Sequence, residues 1–208
     1  VVIINGFNLI DGINGLSGTI ALIIATSLGS WFFLTGDIAY SVLSFVLGGS
    51  ILAFLHFNYS PSKIFMGDAG ALFCGLLMAV LVIRFINAHL HIQSSYAFDA
   101  VPVIAIALFI LPLLDSLRVF IMRISEGRSP LHPDRKHIHH VMIDSGLSHT
   151  QATVLLSLVN LLMVVSAIQL QWLGSNGLFL AVSIFALLFT IIIQAFQLMS
   201  ATYKSRFS

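Results

Sequence analysis

Residues 145–203 read SGLSHTQATVLLSLVNLLMVVSAIQLQWLGSNGLFLAVSIFALLFTIIIQAFQLMSATY. These 59 consecutive residues, bounded by Asp144 and Lys204, contain no Asp, Glu, Lys or Arg. A helix needs about 20 apolar residues to cross the roughly 30 Å hydrocarbon layer of a bilayer. The stretch is therefore long enough for two crossings, and 171–177 (QWLGSNG) supplies a turn between them. The rest of the chain agrees. Hydrophobic residues make up 58% of it and charged residues only 8%, whereas a soluble domain has about 25% charged residues. Lipid offers no partner to a free backbone group, so an open chain crosses it as helices. The expected fold is an all-α polytopic transmembrane bundle forming a single domain over 1–208.

Six spans are predicted, near 17–35, 38–57, 69–88, 99–122, 151–171 and 178–200. Arg84, Asp115 and Arg118 interrupt the third and fourth. A charge at mid-bilayer costs roughly 2.5–3.5 kcal/mol, so these three belong near span ends or face the bundle interior. Asp115 and Arg118, three residues apart, are expected to form an ion pair on one helix face. With six spans, the segments near 5–16, 58–68, 123–150 and 201–208 share one side. That side, with its span ends, holds Lys63, Arg118, Arg123, Arg128, Arg135, Lys136, Lys204 and Arg206. Arg84 alone falls on the other, so the shared side is expected to be cytoplasmic. The formal net charge of +1 and the lack of a basic stripe give no reason to expect nucleic acid. The single cysteine, Cys74, lies in an apolar run and reads as a small packed hydrophobe. The chain opens Val1-Val2-Ile3-Ile4, without an initiator Met or a basic leader. Those residues look like the last turn of a span, and the chain is expected to start partway through a longer protein.

Three polar segments gather on the expected cytoplasmic side. In 5–15 (NGFNLIDGING), Asn8, Asp11 and Asn14 recur at three-residue spacing, which on a continuous helix stacks them on one face. Gly12 and Gly15 allow close approach of a ligand or of backbone. The alternative is capping and interhelical hydrogen bonding, though the charge of Asp11 needs a partner. In 65–70 (FMGDAG), Asp68 stands where a span begins. It reads either as a helix-terminal carboxylate or as a Mg²⁺ ligand, since Mg²⁺ takes one or two carboxylates together with substrate phosphates and water. Phe65 offers a flat face to a nucleobase or packs at the interface. The third segment, 131–140 (LHPDRKHIHH), holds four of the chain's eight histidines. His137, His139 and His140 could ligate Zn²⁺, but their spacing is not a usual zinc spacing and no Cys or Glu sits among them. With Arg135 and Lys136 they suit phosphate binding, and an imidazole can also handle protons near neutral pH. His56, His89 and His91, near span ends, are given no role.

Together the three segments resemble the polyprenyl-phosphate N-acetylhexosamine-1-phosphate transferases, the family of the phospho-N-acetylmuramoyl-pentapeptide transferase. Its signatures, approximately N-x-x-N-x-x-D-G-x-D-G, F-M-G-D-x-G-S and P-D-x-x-H-x-H-H, are matched in order by 5–15, 65–71 (FMGDAGA) and 133–140 (PDRKHIHH). The His-x-His-His form is similar to the branch that uses simple UDP-N-acetylhexosamines for O-antigen, teichoic-acid or related glycans. The resemblance implies transfer of N-acetylhexosamine 1-phosphate from a UDP-sugar to undecaprenyl phosphate, yielding a diphosphate-linked lipid and UMP. The setting it implies is the bacterial cytoplasmic membrane, with Mg²⁺ as cofactor, Mn²⁺ as a substitute, and room for a homodimer.

By motif position, Asp68 would hold the metal and Phe65 would stack on uracil. Asn8, Asp11 and Asn14 would shape the donor and metal site. Asp134, Arg135, His137, His139 and His140 would meet the donor phosphates or sugar, with Asp11, Asp68 and the three histidines carrying catalysis. Two departures stand out: Asn14 occupies the place of the motif's second Asp, and Ala71 that of a Ser. The family's adjacent acidic pair, expected upstream of the first motif, is also missing, so the chain by itself is expected to be inactive. The competing expectation is a metal-ion or proton-coupled transporter, with Asp68, Asp115 and the histidines lining the path.

Overall fold

The structure, a computed structural model, describes residues 1–59, 61–89, 95–129 and 137–207, with side chains described to 199. In chain order the elements are α1 (Val2–Ile10), α2 (Leu16–Leu34), α3 (Ile38–Asn58), α4 (Gly67–Ala88), α5 (Val101–Leu108), α6 (Ile110–Ser125), α7 (Ile138–Asp144), α8 (His149–Gln169), a single 3₁₀ turn (Gln171–Leu173) and α9 (Gly174–Phe207). No strand occurs among the described residues. The helices α2, α3, α4 and α8 and the stretch Gln171–Met199 are each long and apolar enough to cross a membrane, and α5 with α6 makes a sixth, bent, candidate. The protein is a multi-pass membrane protein with an all-α bundle.

The core is built around α2, which packs on α3, α4 and α8. Ile20, Ala21, Ile24, Ala25 and Leu28 of α2 are buried, whereas Leu180, Leu187 and Ile192 of α9 are exposed. That outward apolar surface is what a helix presents to lipid. Between helices there is no water to expel, so close approach of small residues drives packing. Gly18 of α2 faces Leu55 of α3, Gly29 faces Ser44, and Gly75 of α4 lies against Ile4 of α1. Arg84 stands one turn from the end of α4, where its Nε donates to Asp37 at 2.8 Å and its guanidinium lies over the Tyr40 ring. The charge that interrupts the third expected span therefore sits at a span end.

The fourth expected span, 99–122, is not one straight helix. It breaks at Phe109, and α5 and α6 meet at 76°. Pro112 accounts for the break, because it has no N–H for the Leu108 carbonyl and its ring clashes with that carbonyl in a regular helix. A break inside lipid exposes backbone groups that need another partner. Asn160, fully buried in α8, supplies it: Nδ2 donates to the Leu108 carbonyl at 3.3 Å, and Oδ1 accepts from the Leu111 N–H at 3.4 Å. The bend redirects α6, which carries Asp115, to pack against α1.

Candidate active site

Helix α1 stops at Ile10, with Asp11 as its C-cap. The expected single face of Asn8, Asp11 and Asn14 does not form, because residues 11–15 make a turn. Asn8 stays on α1, half-buried, and Asn14 lies in the turn. Gly15 takes a φ of 79°, in the left-handed region that favours glycine, which lets the chain reverse into α2. Neighbouring elements pin the turn. The Gly15 N–H donates to Asn58 Oδ1 at 2.7 Å, while Asn58 Nδ2 donates to the Ile64 carbonyl at 2.8 Å. The Thr153 hydroxyl donates to the Asn14 carbonyl at 2.7 Å, and the Asn14 N–H reaches His149 Nδ1 at 3.4 Å.

This turn brings Asp11 near Asp68. Asp68 lies in the first turn of α4, but the N-cap is Met66 and no side chain caps that helix. The carboxylate is exposed and makes no hydrogen bond or ion pair among the described residues. Asp11 is half-buried and accepts a hydrogen bond from the Ser17 hydroxyl. Burial pushes the Asp11 carboxyl above its ordinary value, and the negative charge of Asp68 pushes the same way against the opposing Ser17 bond. Two carboxylates thus act on each other, and neither has an ion pair among the described residues. Between Asp11 and the loop before α4 lies a crevice of ≈ 40 Å³ lined by Asp11, Gly12, Ile13, Asn14, Asn58, Phe65 and Met66. That volume admits an ion or a water rather than a nucleotide, so a larger ligand would sit above it. Phe65, 79% exposed, stands at its edge with a free ring face.

The histidines reach the same place from the other side. His137 is the N-cap of α7, and His137 and His139 are both buried. Asp115, 1% exposed on the redirected α6, bonds both ends of this junction: Oδ2 lies 2.8 Å from His137 Nδ1, and Oδ1 accepts the Ile138 N–H at 2.8 Å. The expected Asp115–Arg118 pairing therefore leaves out what Asp115 does, although its charge also acts on Arg118. The His139 ring lies parallel to His137, with centroids 5.8 Å apart, and tilts against His140 at 4.3 Å. Burial lowers the His139 pKa to about 4. The neighbouring His140, His137 and His149 push the same way, and Asp115 opposes them. It is a neutral imidazole, and its Nε2 has no hydrogen-bond partner among the described residues. It presses on Gly12 so closely that a methyl there would lie 2.9 Å from Cδ2 and Cε1 and nearer still to Nε2.

No group of three or more His, Cys, Asp or Glu that could hold a metal ion occurs among the described residues. Asp134 and Arg135 lie outside the described residues. The structure thus brings Asp11, Asn14, Phe65, Asp68, His137, His139 and His140 to one end of the bundle. It adds Ser17, Asn58 and Thr153, which sequence reasoning passed over, and Asp115, which it matched with Arg118 instead of a histidine. Asp115 carried a usable signal, since a carboxylate inside an apolar run requires a partner.

Comparison with known proteins gives a consistent result. Residues 1–86 match the family described as glycosyl transferase family 4. The chain is 34% identical to a decaprenyl-phosphate N-acetylglucosaminephosphotransferase of Mycolicibacterium smegmatis, over 76% of this chain and 42% of that protein. It is 33% identical to a probable undecaprenyl-phosphate N-acetylglucosaminyl 1-phosphate transferase of Bacillus subtilis, over 81% and 45%. With the undecaprenyl-phosphate alpha-N-acetylglucosaminyl 1-phosphate transferase of Escherichia coli it shares 31% identity, over 74% and 41%. The chain spans less than half the length of each of these curated relatives.

Proposed function

This chain belongs to glycosyl transferase family 4, and from that premise we propose that it forms part of an enzyme transferring N-acetylhexosamine 1-phosphate from a UDP-sugar to undecaprenyl phosphate. The observation that carries the reading is the meeting of Asp11, Asp68 and the histidine helix α7 at one end of a membrane bundle. In the reaction, a phosphate oxygen of the lipid forms a bond to the sugar-bearing phosphorus. The bond from that phosphorus to the bridging oxygen breaks, and UMP leaves with the electron pair. A transporter would need polar groups stepping across the membrane, whereas here they collect at one end.

Every reacting group is anionic, so the enzyme's task is neutralisation and positioning. Asp11 and Asp68 fit Mg²⁺, or Mn²⁺ in its place: two mutually repelling carboxylates, no third His, Cys, Asp or Glu grouped with them among the described residues, and space for substrate phosphates to complete the shell. The bound ion would supply positive charge to the diphosphate and the departing UMP. Phe65 offers its exposed ring to the uracil, and Asn8 and Asn14 offer amides to the donor. Asp134 and Arg135 precede α7, where the guanidinium would grip phosphate. His137 and His140 would face the donor's phosphates or sugar, while neutral His139 backs the Gly12 turn. An apolar groove of ≈ 460 Å³ between α3 and α4, lined in part by Leu47, Ile51, Phe54 and Phe73, meets the crevice at Phe65 and Met66, which supports a substrate that is part lipid. Lys63, Arg123 and Arg128 stand toward the site end and Arg84 toward the other, which supports a cytoplasmic site in the bacterial inner membrane.

The test uses the intact protein in membranes, with undecaprenyl phosphate and a panel of UDP-GlcNAc, UDP-GalNAc, UDP-QuiNAc and UDP-FucNAc. UMP and a diphosphate-linked lipid should form with at least one donor and Mg²⁺, and Asp68→Asn should abolish the product. No product with any donor would refute the reaction, and undiminished Mg²⁺-dependent turnover in Asp68→Asn would refute the metal assignment.

A further inference from the structure

We infer that Asp115 is a positioning residue, which fixes His137 in the tautomer carrying its proton on Nδ1 and so presents Nε2 to the substrates as an unprotonated acceptor. The inference rests on the transferase reading for the purpose served by His137, but not for the hydrogen bond itself.

The geometry leaves little choice of roles. A carboxylate offers only lone pairs. Asp115 Oδ1 accepts the Ile138 N–H at 2.8 Å, so Oδ2, 2.8 Å from His137 Nδ1, is the acceptor for an imidazole N–H. Both side chains are buried, at 1% and 5% exposure, so no water competes for either bond. One carboxylate thereby performs two tasks. It satisfies the first backbone amide of α7, which has no partner within the helix, and it sets which imidazole nitrogen remains available. A carboxylate held against a catalytic imidazole acts through tautomer and orientation, and its replacement by the isosteric amide costs up to about 10⁴-fold in turnover elsewhere.

The two tasks can be separated. Asp115→Asn keeps the shape and an oxygen for the Ile138 N–H, but turns an amide donor toward Nδ1, so the His137 proton moves to Nε2. Ile138→Pro does the converse. It removes the capping N–H, at a position where a helix tolerates proline, and leaves the carboxylate–imidazole pair intact. His137 already has the extended φ of −64° and ψ of 150° that a residue before proline adopts.

The experiment is ¹⁵N-histidine NMR of the intact protein in bilayers, with a His137→Gln spectrum for assignment, beside turnover with the UDP-sugar that the donor panel selects. The expected result is Nδ1–H in the wild type and in Ile138→Pro, and Nε2–H in Asp115→Asn. In Asp115→Asn, kcat should fall by about 100-fold or more while KM for the donor moves by less than about threefold. Wild-type His137 protonated on Nε2 alone, or an unchanged tautomer in Asp115→Asn, would overturn the hydrogen-bond assignment. An inverted tautomer with turnover kept within about threefold would overturn the positioning role. If the wild type turns over no donor, the transferase reading fails while the spectra still decide the bond.

Discussion

Replacing Gly12 by alanine puts a methyl group where the His139 imidazole lies. The backbone accepts the change, since Gly12 is not among the glycines of positive φ. The conflict is between side chains: the new carbon would stand 2.9 Å from Cδ2 and Cε1 and closer to Nε2. The ring would have to retreat by about 1 Å to reach ordinary contact. His139 has no free space for that, being 1% exposed and flanked by His137 and His140. Overpacking of this kind costs about 1–3 kcal/mol. The thermal midpoint of the purified protein, followed by tryptophan fluorescence in detergent, should fall by about 2–4 °C for each kcal/mol lost. Turnover should fall further, by about 100-fold, because a shift near 1 Å in a positioned group has that effect. His139→Ala in the same chain removes the obstacle, so the double variant should recover about 1–3 kcal/mol relative to the sum of the single changes. If Gly12→Ala matches the wild type in midpoint and turnover, or if the double variant shows no coupling, the close contact between the Gly12 turn and α7 is refuted.

Asn160→Leu leaves the Leu108 carbonyl and Leu111 N–H unpaired, and should lower stability by about 2–4 kcal/mol, measured by denaturation in detergent; a change below about 0.5 kcal/mol would refute the repair of the break. His139 has a lowered folded-state pKa of about 4, so between pH 6.5 and 4 the unfolded chain takes up a proton that the folded chain refuses. Stability should therefore drop through that window and level off below it. The loss attributable to this residue is about 3 kcal/mol at most, and His139→Asn should flatten that part of the profile; parallel profiles would refute it. Asp11 has the opposite displacement: its raised folded-state pKa means that its charge costs stability above pH 3.8, a cost that fades as the pH falls through the raised value. Asp11→Asn should raise the midpoint of the metal-free protein and abolish the further rise that Mg²⁺ gives the wild type. An unchanged Mg²⁺ response would remove Asp11 from the metal site.

The membrane spans were legible because an uncharged run such as 145–203 has one physical solution in lipid. Their straightness was not. Pro112 sat in view within the expected span 99–122, but whether a proline kinks a helix or breaks it depends on who rescues the freed groups, and Asn160 lies 52 residues from Leu108. The site segments were visible through their density of Asp, Asn and His on an apolar chain. Their wiring was hidden, because Thr153 reaches Asn14 across 139 residues and Asp115 reaches His137 across 22. Local spacing also misled: the three-residue rhythm of Asn8, Asp11 and Asn14 assumed a helix that Gly12 and Gly15 end. Asp115 matched a nearby Arg118 by helical spacing, and spacing cannot see a histidine brought in from another element.

The rescue by Asn160 also imposes an order on biogenesis. The break at Phe109 leaves the ribosome well before α8 does, so a nascent chain holding only α5 and α6 has no carboxamide to receive the freed backbone groups in lipid. The bend, and with it the swing of α6 that sets Asp115 against α7, becomes stable only after α8 has been inserted and docked. Assembly of the candidate site is thereby tied to a late event in translation, and a chain stopped before residue 160 holds the Asp11, Asp68 and histidine motifs without the scaffold that brings them into register.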